Sequence, residues 1–561
     1  MSKDQRKSRT HAYVPELYNQ FKKGEIDRRD FLRQATLLGV SSAAAYAMVG
    51  KVTGEKMVPQ ARAGGHGGNL KMSMRVQEMV DPATFSWNEM GNQGRTFLEY
   101  LTWTGADNVV QPFLAESWDA SDDLKTWTFN LRKGVKFNNG QDFGADDVVF
   151  NMERWLNPET GSSNIGLFAS MVEEVDTGKK DKDGKAVKSK RMIGGAVEKV
   201  DDHTVRFHLK QPDLAIPENF SNYPTAIVHR GFEGDVSKAP IGTGPFEMVE
   251  HRVGEKFVAK KRNPADYWGE APMIDQITYI DHGDDFSARL NALISGQVDM
   301  AYEVDINQVD LVNKVPHLVL SEATTAQTAV ARMQISKKPF DNINVRRAIQ
   351  AATDREAIKN IAYRGRGLAA EDHHVCQIHP EHFQLPILKR DVSLAKKLLA
   401  DGGYPDGIKL KIDLGAADAW HAAAMQAFKE QLAPAGIDLE LNVMPGSSYW
   451  DVWDSTPFGF TAWTHRPLGT MVLNLGYRSG VPWNETHYAS AEFDAALDDA
   501  GATLDVNERK KKMEKVEKII QNDAVIVQPL WRPVFSAFHK KVKGYATHPT
   551  LYHRWQGASM G

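Results

Sequence analysis

From Glu371 to His382 the chain reads EDHHVCQIHPEH, which puts His373, His374, Cys376, His379 and His382 within ten residues. Imidazole and thiolate are ligands for Ni, Zn or Cu, and one loop can wrap one ion. His373, His374, Cys376 and His379 are therefore candidate metal ligands. Cys376 is the only cysteine, so the chain forms no internal disulfide, and a lone thiol of this kind is ordinarily inert. Catalytic spacings are missing from the sequence: it holds no Gly-x-Ser-x-Gly, no His-Glu-x-x-His and no Gly-x-x-x-x-Gly-Lys-Ser/Thr. The expectation is a protein that binds and does not catalyse.

A second stretch, TAWTHRPLGTM from Thr461 to Met471, gathers Trp463, His465 and Arg466 just before a Pro-Leu-Gly turn. Arg and Trp together grip flat or anionic ligands. Phe460, Tyr449, Trp450 and Trp453 lie close by in sequence, and Trp87 follows the first predicted strand and its turn. These are the candidate ligand-binding residues, and each aromatic fits core packing equally well.

Alternating strand and helix signals must position these residues. Thr126–Arg132 places Trp127, Phe129 and Leu131 on one face, and Thr204–Leu209 repeats the pattern. Further strands are predicted at Ile408–Leu414 and Asp438–Met444, and helices at Asn344–Arg364, Leu394–Leu399, Trp420–Leu432, Ala491–Ala500 and Asn507–Asn522. The class is α/β. Asp176–Arg191 carries seven Lys/Arg beside Asp176, Asp181 and Asp183 with no aromatic residue, and it reads as a solvated hairpin tip or insertion loop.

The chain has 561 residues and a formal charge of −4, which excludes a generally basic nucleic-acid binder. At the N-terminus, Arg28-Arg29 and Phe31-Leu32 precede 17 uncharged residues, Gln34 to Gly50. That run is short for a membrane span of about 20 residues. With the small-x-small site at Ala61–Ala63 it makes an export signal over residues 1–63. The pattern resembles the twin-arginine signal, with Asp27 in place of Ser/Thr and Arg33 in place of Lys. There is no Leu-x-x-Cys lipobox. Cutting after Ala63 removes 12 basic and 6 acidic residues, leaving 68 − 12 = 56 against 72 − 6 = 66, a net of −10 on 498 residues.

Four ordered blocks carry a family resemblance. They are LAESWDASDDLKTWTFNLRKGVKFNNGQDFGADDVVFNMERW (Leu114–Trp155), PIGTGPFEMVEHRVGEKFVAKKRNPADYWG (Pro240–Gly269), SGQVDM (Ser295–Met300) and KPFDNINVRRAIQAATDREAI (Lys338–Ile358). Together they resemble the family 5 extracellular solute-binding proteins, the peptide- and nickel-type receptors of bacterial ABC importers. The resemblance runs from about Leu70 to the C-terminus. It implies a two-lobed periplasmic-binding-protein fold, type II-like and of the large family 5 form. Lobe I would hold residues 70–321 with an extra subdomain at about 98–224, lobe II residues 322–528, and the return segment of lobe I residues 529–561. It also implies a periplasmic monomer with no cofactor that delivers a small solute to ABC permease subunits. A metal- or haem-chelate carrier and an exported hydrolase on the same scaffold are the alternatives. In the family's dipeptide receptors a Trp-Thr-Gly-Asp stretch places an Asp on the ligand's ammonium. Matched on Trp463-Thr464, this chain has His465 and Arg466 there, and Gly415 and Ala417 where an Arg and a Tyr would take the ligand's carboxylate. The charge is reversed. The expected ligand presents a carboxylate, phosphate or sulfonate to Arg466, or a neutral or quaternary head to an aromatic box: a peptide-like, opine-like or anionic amino-acid derivative.

Overall fold

The computed structural model describes residues 10–54, 67–180, 186–416 and 419–561. Its frame is a 12-stranded sheet. The strands named below are β1 (Asn69–Ser73), β2 (Phe246–Arg252), β3 (Lys256–Lys261), β4 (Gln276–Ile280), β5 (Met300–Ala301), β6 (Leu318–Met333), β7 (Ile408–Gly415), β8 (Ile437–Met444), β9 (Phe458–Trp463) and β10 (Leu530–His539). They lie in the order β2-β3-β4-β1-β5-β10-β6-β9-β7-β8. The two long strands β6 and β10 pair antiparallel at the middle, from Leu318↔His539 to Thr328↔Trp531. On one side β1 runs parallel to β4 and β5. On the other β7 runs parallel to β8.

A parallel pair needs a crossover. Between β7 and β8 it is the helix Ala419–Leu432, whose Trp420, Ala424, Phe428 and Leu432 recur at i+4 and are buried. Leu70, Met72, Phe257 and Ile277 belong to one core, and Leu410, Ile412, Phe428 and Phe458 to another. The predicted stripe of Trp127, Phe129 and Leu131 is buried as expected, joined by Val205 and Phe207, in a separate four-stranded antiparallel sheet. The basic run is part of a hairpin of Val172–Lys180 with Ala186–Met192. The single helix expected over Asn344–Arg364 is two, Ile343–Ala351 and Arg355–Ala362. The side chain of Asp354 accepts from Ala357 N at 3.0 Å and so starts the second helix.

The quoted family blocks serve the scaffold. Ideal β-carbons on Gly242 and Gly244 would lie 1.9 and 2.7 Å from the Phe97 backbone, so these glycines admit close chain approach. Two residues on, Glu99 is fully buried and accepts from Thr243 Oγ1 (2.9 Å), Tyr267 OH (2.8 Å) and Trp268 Nε1 (2.7 Å). One carboxyl thus ties GTGPF to NPADYWG. Burial pushes it up to about 7, against the pull of the bonds from Trp268, Tyr267 and Thr243. From the block at Lys338–Ile358, Arg346 and Arg347 donate to the carbonyls of Asp523 and Asn522 at the C-terminus of helix Val506–Asp523. Arg355 pairs with the equally buried Asp372.

The N-terminal segment lies against this body as three helices, α1 (Val14–Lys23), α2 (Arg28–Leu37) and α3 (Ser42–Thr53). Asp27, the residue that departs from the twin-arginine pattern, caps α2 by accepting from Asp30 N at 2.8 Å. Phe31, Leu32 and Ala35 are buried with Val109 and Val506. Arg33 Nη1 donates to Ile378 O at 2.7 Å, Lys510 pairs with Asp30 at 2.9 Å and Trp118 Nε1 donates to Leu37 O at 3.1 Å. The proposed cleavage site at Ala61–Ala63 and the ligand-carboxylate position at Ala417 lie outside the described residues. Among the described residues no helix is long and apolar enough to cross a membrane.

Replacing Glu99 by Ala strands the three donors it satisfies, and a buried donor left unsatisfied costs about 1–3 kcal/mol. The expected outcome for Glu99→Ala is a fall of that size in the unfolding free energy measured in urea, with Glu99→Gln retaining more of it.

Candidate functional site

Strand β9 delivers Trp463, and the chain then turns through Thr464, His465 and Arg466 toward the helix Gly469–Gly476. Arg466 is 2% exposed. Its Nη1 donates to Thr464 Oγ1 and to the carbonyl of His465 at 3.1 Å. Its Nε is buried with no partner, and among the described residues it forms no ion pair with a carboxylate. The guanidinium sits 5.3 Å from the Tyr223 ring centroid. An unpaired guanidinium out of water is costly, and an anion is the group that relieves it.

The space before Arg466 is a cavity of about 120 Å³. Trp463, Trp87, Trp450 and Trp453 line it, as expected, and Trp483 adds a fifth indole. Trp87 from the β1 side meets Trp450 edge-on at 4.7 Å, so the two halves of the sheet touch across the cavity. Trp463 faces Trp483 at 6.1 Å. Room for the Trp463 ring comes from Gly476, where a β-carbon would lie 2.8 Å from it. A buried ion pair fixes these indoles. Arg332 Nε donates to Glu485 Oε2 at 3.0 Å, and Glu485 Oε1 accepts from Trp463 Nε1 at 2.8 Å. Arg332 also donates to the carbonyls of Trp453 and Thr456.

Several residues of the lining were not anticipated from sequence. Arg75, Glu89, Arg289, Glu303, Gln327 and Arg532 all contribute. Arg532 pairs with Glu303 at 2.5 Å and donates to Gln327 Oε1 at 2.9 Å. Arg75 pairs with Asp284 at 2.7 Å and lies 5.1 Å over the Trp87 ring. Burial pushes the Glu89 carboxyl up, against the pull of Arg75. Four arginines less two glutamates leave the lining at +2. Glu89 lies two residues beyond Trp87, so that segment was the one available signal. The others come from β10, β6, the helix Phe286–Ile294 and loops, whose patterns indicate only secondary structure.

Three residues expected to touch ligand do not line the cavity. Tyr449 stands behind its wall, with its hydroxyl 2.6 Å from Thr461 Oγ1. Phe460 packs in the core against Trp420 and His421. His465 has a different job. In β6 the register slips: Ala323 pairs with Val534, but Gln327 pairs with Arg532, so four residues are spent against two. The freed Ala326 N–H donates to His465 Nδ1 at 2.9 Å. That leaves the ring proton on Nε2, which donates to Asn108 Oδ1 at 2.8 Å. His465 therefore positions the backbone next to Arg466.

The expected metal set is also dispersed. His379 accepts from Cys376 N at 3.0 Å and, through Nε2, donates to Arg466 O at 2.9 Å. His374 Nδ1 is 2.7 Å from Tyr477 OH. Cys376 is buried, its sulfur 3.9 Å from Thr325 O, and burial pushes its thiol up to about 12, so it is not poised as a thiolate. Of the four, His373 alone lies in a cluster of ligating groups, with Glu371 and His382.

With this geometry in place, comparisons identify the class. Residues 109–480 match the profile described as "Bacterial extracellular solute-binding proteins, family 5 Middle". The chain belongs to this family. A heme-binding protein A of Haemophilus influenzae is 26% identical over 486 residues, covering 80% of this chain and 84% of that one. A glutathione-binding protein of Salmonella choleraesuis is 25% identical, with 81% and 87% covered. Among solved structures, the periplasmic binding protein DppA of Helicobacter pylori, in complex with the peptide STSA, has a TM-score of 0.76 at 24% identity, covering 88% and 98%. The binding protein AgaA of A. tumefaciens, in complex with agropinic acid, has a TM-score of 0.76 at 23% identity, covering 88% and 99%. The fold is the two-lobed α/β fold of the family.

The histidines behind Arg466 make the site acid-sensitive. Burial pushes His374 and His379 down to about 3. Between pH 6.5 and about 3 the unfolded chain takes up protons that the folded ring refuses, so stability present above pH 6.5 is lost as pH falls. Each such ring contributes at most about 1.4 kcal/mol per pH unit. Urea midpoints at pH 7, 6 and 5 should fall steeply, and less steeply in His379→Gln, whose amide still donates to Arg466 O but does not titrate.

Proposed function

We propose that the protein is the exported receptor of an ABC importer that captures a small organic anion between its lobes and presents it to the permease. One observation carries this reading: Arg466 is buried at the cavity wall with no carboxylate partner. The family's members are binding proteins, and closing a two-lobed cleft around a solute strengthens each polar contact by removing water. The lobes are residues 70–321 with 529–561, and residues 322–528. They part about the slipped register of β6, where three residues, 324–326, lie outside the ladder.

The ligand is peptide-like, opine-like or an anionic amino-acid derivative. Its carboxylate takes the orphaned Arg466 Nε, and its carbon skeleton lies among the five indoles. Glu89 faces the cavity for a cationic group, Glu303 being held by Arg532, and the formal +2 favours a ligand with more acids than amines. The cavity of about 120 Å³ suits a single small solute. Residues 1–63 act as a twin-arginine-type export signal, and their removal frees the surface on which α1–α3 lie.

A thermal-shift panel of dipeptides, opines and acidic amino-acid derivatives tests the assignment. The best hits are expected to be anions recovered unmodified after incubation, and turnover of the hit would instead mark an enzyme. Truncating one partner of a buried charge pair costs about 2–5 kcal/mol, so Arg466→Ala should weaken the best anion by roughly 30-fold or more. A large shift with ordinary dipeptides, unchanged in Arg466→Ala, would overturn the charge reversal. For export, the secreted protein should begin at Gly64, and the paired change Arg28→Lys, Arg29→Lys should retain it inside the cell.

A further inference from the structure

We propose that Glu371, His373, His382 and Glu517 form a structural site for one divalent transition cation, with Zn²⁺ the best fit, away from the solute cleft. The four side chains come from the His-rich loop and from helix Val506–Asp523. Glu371, His373 and Glu517 have fully buried side chains, and His382 is 8% exposed. His382 Nε2 is 3.3 Å from Glu371 Oε1, His373 Nε2 is 3.9 Å from Glu371 Oε2, and His373 Nε2 is 3.7 Å from Glu517 Oε2. A tetrahedral zinc with arms of about 2.1 Å has ligand–ligand edges of about 3.4 Å. One ligand atom each from Glu371, His373 and His382 lies within 4.8 Å of the others, and Glu517 Oε2 stands outside that set, 3.7 Å from His373 Nε2. The separations at His373 are too long for direct hydrogen bonds.

Two of these atoms, Glu371 Oε2 and His373 Nε2, are buried without any hydrogen-bond partner. A bound cation satisfies both. It also resolves the charge, because the ion-pair partners of the two carboxylates among the described residues are His373 and His382. Two buried carboxylates need either protons or a cation. Two carboxylates and two imidazoles form a neutral site with a divalent ion. The outer contacts are in place: Gln384 Nε2 donates to Glu371 Oε1 at 2.8 Å, and Phe383 N donates to Glu517 Oε1 at 3.1 Å.

Loading requires proton movements at three groups. Burial pushes Glu517 up, and zinc at its carboxylate displaces any proton it holds to solvent. His382 Nε2 donates to Glu371 Oε1 at 3.3 Å, so zinc at that nitrogen moves its ring proton to Nδ1. Val375 N donates to His373 Nδ1 at 3.2 Å, which leaves the ring proton on Nε2. Zinc at Nε2 moves that proton to Nδ1, and the Val375 contact is given up. The ion staples the His-rich loop to helix Val506–Asp523, and the same loop carries His379, which holds Arg466 O.

Calorimetry of the EDTA-stripped full chain with Zn²⁺ tests the site, in two buffers of different ionisation enthalpy. One equivalent with proton release is expected, together with a rise in Tm. Glu517→Gln and His382→Gln should each weaken binding by about 10-fold or more, and the double variant should lose it. Arg466→Ala should keep it, which separates this site from the cleft. The metal-free Tm of each variant, compared with the metal-free wild type, reports folding independently. Anomalous scattering at the zinc edge from wild-type crystals should place the ion among the four side chains. Equal zinc binding by the wild type and the folded double variant would overturn the proposal, as would the absence of a stoichiometric site in the wild type.

Discussion

A guanidinium buried without a carboxylate is the constraint around which this protein is arranged. Taking a charge out of water costs several kcal/mol unless it is paired, and Arg466 is 2% exposed with its Nε unbonded. Its immediate backbone, Thr464 and the Tyr223 ring answer it, and no carboxylate does among the described residues. Such a group collapses onto the nearest carbonyl or swings to solvent unless its own main chain is held. It is held from two directions. His379 takes the carbonyl of Arg466, and His465 fixes the preceding residue to Ala326 N and Asn108. Both rings must stay neutral, since each accepts a backbone N–H on Nδ1 while donating through Nε2. Burial enforces that neutrality by pushing both well down.

The same arrangement joins the site to the frame. The long pair β6–β10 runs through the middle of the sheet, and an unbroken ladder there would leave no free donor. The slip between Ala323 and Gln327 releases one at Ala326, and His465 takes it. Gln327, the first residue back in register, reaches Arg532, which pairs with Glu303 at the cavity. A single irregularity thus places groups of both halves of the sheet around one small space. Asn108 and Trp87 complete the contact from the β1 side.

Local pattern carried much of this into the sequence. Trp127, Phe129 and Leu131 read correctly as one face because alternation is a local signal. Arg466, Trp463, Trp450 and Trp453 were legible as neighbours because they lie close in sequence, and with Trp87 they line one cavity. What was illegible depended on distance along the chain. His465 seemed a ligand group beside Arg466, yet its partners lie 139 and 357 residues away. The histidines of Glu371–His382 looked like one ion's ligands by proximity, but positive φ at Asp372 and His374 turns successive side chains to different partners. Glu371 and Glu517 entered no pattern, since a carboxylate on a loop and one on a helix meet only through the fold. The break after Ala351 was masked by a continuous helical periodicity, with Asp354 as its sole local sign.

The family blocks and the ligand groups differ in what they touch, and that difference explains why one set names the scaffold and the other must choose the solute. Glu99, Arg346, Arg347 and Arg355 spend their hydrogen bonds on motif side chains and main-chain carbonyls. Such contacts fix chain paths and are indifferent to what the cleft holds. Arg466, Arg532, Arg75 and the indoles face the cavity. Between the two sets stand His379, His465 and the pair Arg332–Glu485, which touch no cavity space yet set the angle of Arg466 and Trp463. A change of ligand class needs substitutions only in the cavity-facing set, provided this intermediate layer still holds their backbones. Arg466 belongs to the cavity-facing set, and this intermediate layer holds its backbone.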